Sequence, residues 1–229
     1  MARLEFTKQL KDMEALVKRF GDKSAADVRA AGLAATGDKG AEQGILEGRK
    51  AAERLRDNIE SNCLDMLLLQ QPLIGDDLRF VSSSFRIVSD LAHIDGMTRD
   101  VAFIFSELSK KASDRMADKF VAMSGRAAEM VDGAVEAFLT KDADKAREVI
   151  ASDDELDRMY SESVDLVIDL IKAGKPSAKS LPELLMVAKY FERIGDHAQR
   201  IADWAVFRAT GERILTAGDH APADEAEGA

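Results

Sequence analysis

The chain has 229 residues, 46% of them apolar and only 6% aromatic, with four prolines and a formal net charge of −10. This length and an Ala, Leu, Glu, Asp, Lys and Arg-rich composition suit a sizeable helical core, and the acidic balance excludes a general nucleic-acid binder, which needs a basic stripe to displace counterions. One cysteine, Cys63, rules out an internal disulfide and reads as a small core hydrophobe.

Six long helices are predicted, with almost no strand signal. The first runs from about Leu4 to Ala35 and breaks at Thr36-Gly37-Asp38-Lys39-Gly40, where Asp38 is a candidate N-cap for the second. The second stops near Gln70, before Pro72, because the residue preceding a proline is biased away from helix. The third starts near Asp76 or Asp77 and reaches about Leu108; the fourth reaches about Leu139. The fifth opens near Asp142 and closes at Ala173-Gly174-Lys175-Pro176. The sixth opens with Ser180-Leu181-Pro182-Glu183, a capping-box spacing with proline in the first turn, and fades near Gly211. Residues 216–229 hold Asp219, Asp224, Glu225 and Glu227 without Lys or Arg, and read as a disordered acidic tail.

No transmembrane segment is expected. The longest apolar runs, at 66–69 and 184–188, fall far short of the ~20 residues of a membrane span. Met1-Ala-Arg-Leu-Glu-Phe lacks the apolar region of a secretion signal. The expected location is the cytoplasm, with peripheral attachment at the inner face of the membrane only through partners.

The two halves repeat. Val17, Thr36, Asp38 and Pro72 recur as Val121, Thr140, Asp142 and Pro176, an offset of 104, and Ile94 and Ala102 recur as Ile194 and Ala202, an offset of 100. Matching turns and apolar phase predict an all-α fold of two tandem three-helix units, residues 1–109 and 110–215, followed by the tail at 216–229.

Four acids stand out by phase. Glu192 and Asp196 lie four residues apart, on the side of the sixth helix that carries Leu181, Leu185 and Ala188. Asp153 and Asp157 share a face of the fifth helix with Val149, Ile150, Tyr160, Val164, Ile168 and Ile171, while Asp154, Glu155, Glu162, Asp165 and Asp169 fall on the solvated side. Opposed carboxylates repel unless protonated or bridged, so a metal ion is the expected occupant. An all-oxygen site suits Mg, Mn, Fe or Ca and accepts zinc. Asp203 falls in line with Glu192 and Asp196 as an additional candidate ligand, and His197, one step out of phase, is a surface or outer-sphere candidate. The alternative is a surface ion-pair network with Lys189, Arg193 or Arg200, although these project off the centre of the acid stripe.

The first half departs from this pattern. Positions matching the four acids are Arg49, Glu53, Ala92 and Gly96, and the helix stripe Arg49, Glu53, Arg56, Glu60 can neutralise itself without metal. One metal site, in the second half, is therefore expected. Asp90 and His93 stand three residues apart, but the Glu-x-x-His pair of di-iron bundles is missing. Phosphate-loop, dinucleotide, Cys-x-x-Cys, zincin and nucleophile-elbow motifs are also missing, so a non-enzymatic reading leads. A carboxylate-bridged phosphoester hydrolase and a metal-free helical adaptor are the alternatives.

At these residues the chain resembles the PhoU family, the phosphate-specific transport system accessory proteins. Phe191-Glu192-Arg193-Ile194-Gly195-Asp196-His197-Ala198 is similar to the family's Glu-Arg-Ile-Gly-Asp signature. Gln71-Pro72, Asp77-Leu78-Arg79 and Arg86-Ile87-Val88-Ser89-Asp90-Leu91 resemble its first-half counterpart, and Asp153-Asp154-Glu155-Leu156-Asp157 its preceding acidic motif. The resemblance covers about residues 4 to 210. It implies two pseudo-symmetric three-helix bundles, multinuclear iron or zinc clusters, and negative control of phosphate uptake and starvation signalling. It also implies a homodimer acting between the ATP-binding subunit of a phosphate ABC transporter and a phosphate sensor histidine kinase. Carried over by position, the ligands are Asp153, Asp157, Glu192 and Asp196, in the second repeat only.

Overall fold

The computed structural model describes residues 2–69, 73–108, 114–173 and 180–215, with side chains from residue 5 onward. The expected breaks at Gln70-Gln71-Pro72 and Gly174-Lys175-Pro176, and the tail, lie outside the described residues. In chain order the helices are α1 (Ala2–Ala34), α2 (Lys39–Glu47), α3 (Arg49–Leu69), α4 (Gly75–Glu107), α5 (Ala117–Thr140), α6 (Ala143–Ala151), α7 (Asp153–Lys172) and α8 (Leu181–Thr210). They form six rods, because α2 and α3 are one rod interrupted at Gly48, and α6 and α7 one rod interrupted at Ser152. The interruptions fall at the same place in each half, 104 residues apart.

The turns repeat as well. Asp38 accepts the backbone N–H of Ala41 at 3.0 Å, and Asp142 accepts those of Asp144 and Lys145 at 3.1 and 2.9 Å, each satisfying donors that a helix start leaves open. The chain enters each turn in the left-handed region, through Gly37 (φ 88°) and Lys141 (φ 60°).

Helices α1, α4, α5 and α8 form a central layer, with α1 on α5, α5 on α8, α8 on α4 and α4 on α1. The α2–α3 rod covers α1 and α4, and the α6–α7 rod covers α5 and α8. Fully buried Phe120 of α5 meets Phe105 of α4 at 5.8 Å and Phe191 of α8 at 6.3 Å, and Phe80 of α4 stacks on Phe138 of α5 at 5.7 Å. The hydrophobic core thus runs through both halves. Two glycines let α1 and α5 approach: a Cβ at Gly21 would meet Val135 at 2.7 Å, and one at Gly32 would run into Ser124 and stand 3.1 Å from the Phe120 carbonyl. Cys63 is buried as expected, its thiol 3.6 Å from the Val81 carbonyl.

Candidate metal centre

Ser152 joins α6 to α7 at the start of the α7–α8 crossing. The Ser152 N–H still bonds the Glu148 carbonyl at 3.0 Å, and the buried stripe of α6, Ala146 and Val149, continues at helical spacing into α7. Its buried stripe is Asp153, Leu156, Ser163 and Val167. Ile168 and Ile171, expected inside, are 41% and 60% exposed, and Asp157 lies at the exposed rim. On α8, Glu192 is buried and Asp196 half-buried. The four predicted acids therefore line one crossing, two inside it and two at its edge.

Their electrostatics are coupled. Burial, followed by the negative charges of Asp196, Asp157 and Glu192, pushes the Asp153 carboxyl up to about 7. Desolvation beside α8, then Asp196, raises Asp157. Burial raises Glu192 against the opposing hydrogen bond from Lys189, whose Nζ stands 2.6 Å from Glu192 Oε1 and 5.1 Å from the Tyr160 ring centroid. Asp153 Oδ1 and Glu192 Oε2 are buried without a hydrogen-bond partner, a costly arrangement for carboxylate oxygens. Gly195 makes the close packing feasible, since a Cβ there would stand 2.5 Å from Leu156 Cδ2 and 3.0 Å from Asp153 Oδ1. By charge and unmet acceptor capacity this donor set fits a cation. Among the described residues, however, no three His, Cys, Asp or Glu side chains are already gathered as a ligand group.

Two further candidates are committed elsewhere. Asp203, fully buried, pairs with Arg213 and accepts the N–H groups of Ile214 and Leu215 at 2.7 and 3.1 Å. It anchors the chain that leaves α8, and its oxygens are taken. His197 is buried rather than on the surface, and it faces α4 instead of the acids, a full 100° around the helix from Asp196. Its Nδ1 is 2.8 Å from Asp90 Oδ1, and Arg200 reaches both Asp90 (3.0 Å) and His197 Nε2 (2.9 Å). Burial lowers its pKa, which favours the neutral tautomer that donates from Nδ1 and accepts at Nε2. His93 stacks on it at 5.0 Å. Sequence reasoning missed this cluster because its two sides are over a hundred residues apart.

The equivalent crossing in the first half is neutralised by protein charges. Arg49 Nε bonds Glu53 Oε1 at 2.7 Å, as the ladder predicts, and holds that carboxyl below its ordinary range. Arg56 instead pairs with its neighbour Asp57 at 2.8 Å. The missed contributors are Asp95, buried and bonded by Arg99 (3.0 Å) and Lys23 (3.5 Å), and Asp27, which also pairs with Lys23. Ala92 is half-buried, and a Cβ added at Gly96 would meet only Arg99 Nη2, at 4.0 Å. Aligned at the offset of 100, Ile94-Asp95-Gly96 matches Ile194-Gly195-Asp196 with acid and glycine exchanged.

A family model described as the PhoU domain matches residues 120–205, which contain all four acids. Over these residues the chain is similar to the PhoU domain. Curated relatives include a phosphate-specific transport system accessory protein PhoU homolog of Clostridium acetobutylicum, 24% identical over 74% of this chain and 78% of the relative. PhoU homolog 1 of Methanothermobacter thermautotrophicus is 27% identical over 92% of this chain and 97% of its own. Among solved structures, PhoU from Streptococcus pneumoniae superposes with a TM-score of 0.82 and PhoU from Pseudomonas aeruginosa with 0.72, each 24% identical. Each covers 92% of this chain, at 100% and 99% of their own lengths. The two-bundle PhoU fold thus extends over both halves, beyond the residues the family model matches.

Proposed function

We propose that this protein is a non-enzymatic, metal-binding regulatory adaptor that restrains phosphate uptake and phosphate-starvation signalling. The relatives' role in phosphate-specific transport supports the biological setting. The observation that carries the metal reading is the α7–α8 seam, where four carboxylates meet one lysine and two buried oxygens lack partners. Asp153, Asp157, Glu192 and Asp196 would hold the ion, iron or zinc in a multinuclear site by family resemblance, with Mg, Mn or Ca also chemically suited. Bound metal would neutralise the seam and clamp α7 to α8. Asp153 and Glu192 supply the buried donors, Lys189 offsets part of the charge, and Gly195 keeps the helices close. In this reading a homodimer acts between the ATP-binding subunit of a phosphate ABC transporter and a phosphate sensor histidine kinase, in the cytoplasm. Among the described residues no helix is long and apolar enough to cross a membrane.

A metal-free adaptor is the second reading, favoured by the Lys189–Glu192 pair and the ungathered donors. Elemental analysis of untagged protein separates the two. Near-stoichiometric metal that disappears in Asp157→Ala/Asp196→Ala is expected; metal in neither sample would leave the seam structural. For the regulatory role, deleting the gene should raise phosphate uptake and starvation-gene expression in phosphate-rich medium, and unchanged values would overturn it.

A further inference from the structure

The outer seam between α4 and α8 carries a charge opposite to that of the protein. Helical spacing lines up Arg86, Asp90 and His93 on α4 against Arg193, His197, Arg200 and Trp204 on α8. The pairing is antiparallel, set by the contacts of Asp90 with Arg200 and of His93 with His197. Arg86 lies 6.0 Å and Arg213 4.0 Å from the Trp204 ring centroid. Among the described residues, exposed Arg86 and Arg193 have no ion pair, while Arg200 and Arg213 are each matched by one carboxylate, Asp90 and Asp203. Two arginines thus stand without an ion pair in a chain of net charge −10, the further seam acid Asp100 accepting a hydrogen bond from Tyr190 near Arg193.

The chain leaves α8 on this seam. Gly211 turns it back at φ 89°, Arg213 locks onto Asp203 and Trp204, and the Ile214 and Leu215 N–H groups fix its direction. The next residues, 216–229, supply four side-chain carboxylates and no Lys or Arg.

We propose that the acidic segment 216–229 docks in cis on the arginine seam between α4 and α8, covering Arg86, Trp204 and Arg193. The opposite charges match and the tether begins at the seam. Fourteen residues extend up to ~45 Å, whereas Trp204 to Arg193 along α8 spans only ~17 Å. Single exposed ion pairs bind weakly, but a tether supplies a millimolar local concentration, so the contact forms at low salt and is released by salt or by a competing acidic surface.

Trp204 is the single tryptophan, which makes the test direct. Burial pushes the Cys63 thiol up to about 12, so a dansyl label placed on full-length Ala226→Cys reacts at the introduced thiol alone. Energy transfer from Trp204 to the dye, normalised to unlabelled protein, should fall at least about twofold between 20 mM and 500 mM salt. It should fall equally at low salt in Arg86→Glu/Arg193→Glu, and in the chain with Asp219→Asn, Asp224→Asn, Glu225→Gln and Glu227→Gln. Transfer that ignores salt and all these substitutions overturns the proposal. So does transfer that appears only as protein concentration rises, which assigns the seam to a second copy.

Discussion

Gly195 on α8 faces Asp153 on α7 so closely that a methyl group at 195 would stand 3.0 Å from Asp153 Oδ1. Gly195→Ala should therefore push the helices apart and cost ~1–3 kcal/mol, as over-packing does, and should release bound metal. Gly96→Ala is the internal control. Its surroundings are open, so better helix propensity should stabilise it by up to ~1 kcal/mol. Urea denaturation of both variants checks the contrast; equal shifts would show that the tight crossing is not special to the second half.

Asp153 gives metal-stripped protein a pH signature. Its ordinary pKa is 3.8, and in the folded state it holds its proton to about 7. Across that window the folded state binds more protons than the unfolded one, so stability falls as pH rises from about 4 to 7. The loss should amount to a few kcal/mol, spread over coupled acids. In chelator, Asp153→Asn should match wild type near pH 4 and exceed it at pH 8. A pH-independent difference in urea midpoints would contradict the charge coupling.

Asp203 should be a stability residue with an optical readout. Asp203→Ala strands the N–H groups of Ile214 and Leu215 and frees Arg213 from Trp204, at ~2–3 kcal/mol. Trp204 emission should shift red as that cover lifts. Asp203→Asn keeps an acceptor oxygen and should recover part of the loss. Metal content should stay at the wild-type value in both; a drop would return Asp203 to the ligand set.

Arg208 is a buried cation clamped between the rings of Phe80 (4.1 Å) and Phe138 (4.9 Å), donating to the Phe138 carbonyl at 2.7 Å and to Glu14 at 3.2 Å. Arg208→Ala should cost ~3–5 kcal/mol by opening a cavity and abandoning the α5 carbonyl. Arg208→Lys should rescue little, because an ammonium lacks the planar fork that stacks and donates twice. Thermal melts of the two variants should lie closer to each other than either lies to wild type.

The rods were legible because their ends carry chemistry: Asp38 and Asp142 cap, and Gly37 and Gly211 turn. The interruptions at Gly48 and Ser152 were not, since both keep helical backbone bonds and leave the spacing of buried residues unbroken. Ile168 and Ile171 were placed inside, and Asp157 deeper than it lies, because the expected stripe ran one residue past the buried positions Leu156, Ser163 and Val167. The acid seam was legible as carboxylates on an apolar helix face. The roles of Asp203 and His197 were hidden because their partners come from beyond a turn or from another repeat, and helical spacing carries no record of either.

The Phe105–Phe120–Phe191 contacts also decide how the chain can be divided. A fragment of residues 110–215 would expose Phe120 where Phe105 now packs on it, and α5 would lose the glycine-lined bed on α1. Despite their duplicated pattern, the repeats should melt in one transition and fail as independently expressed pieces. The repeat is a matter of turn placement and apolar pattern; cooperativity belongs to the whole.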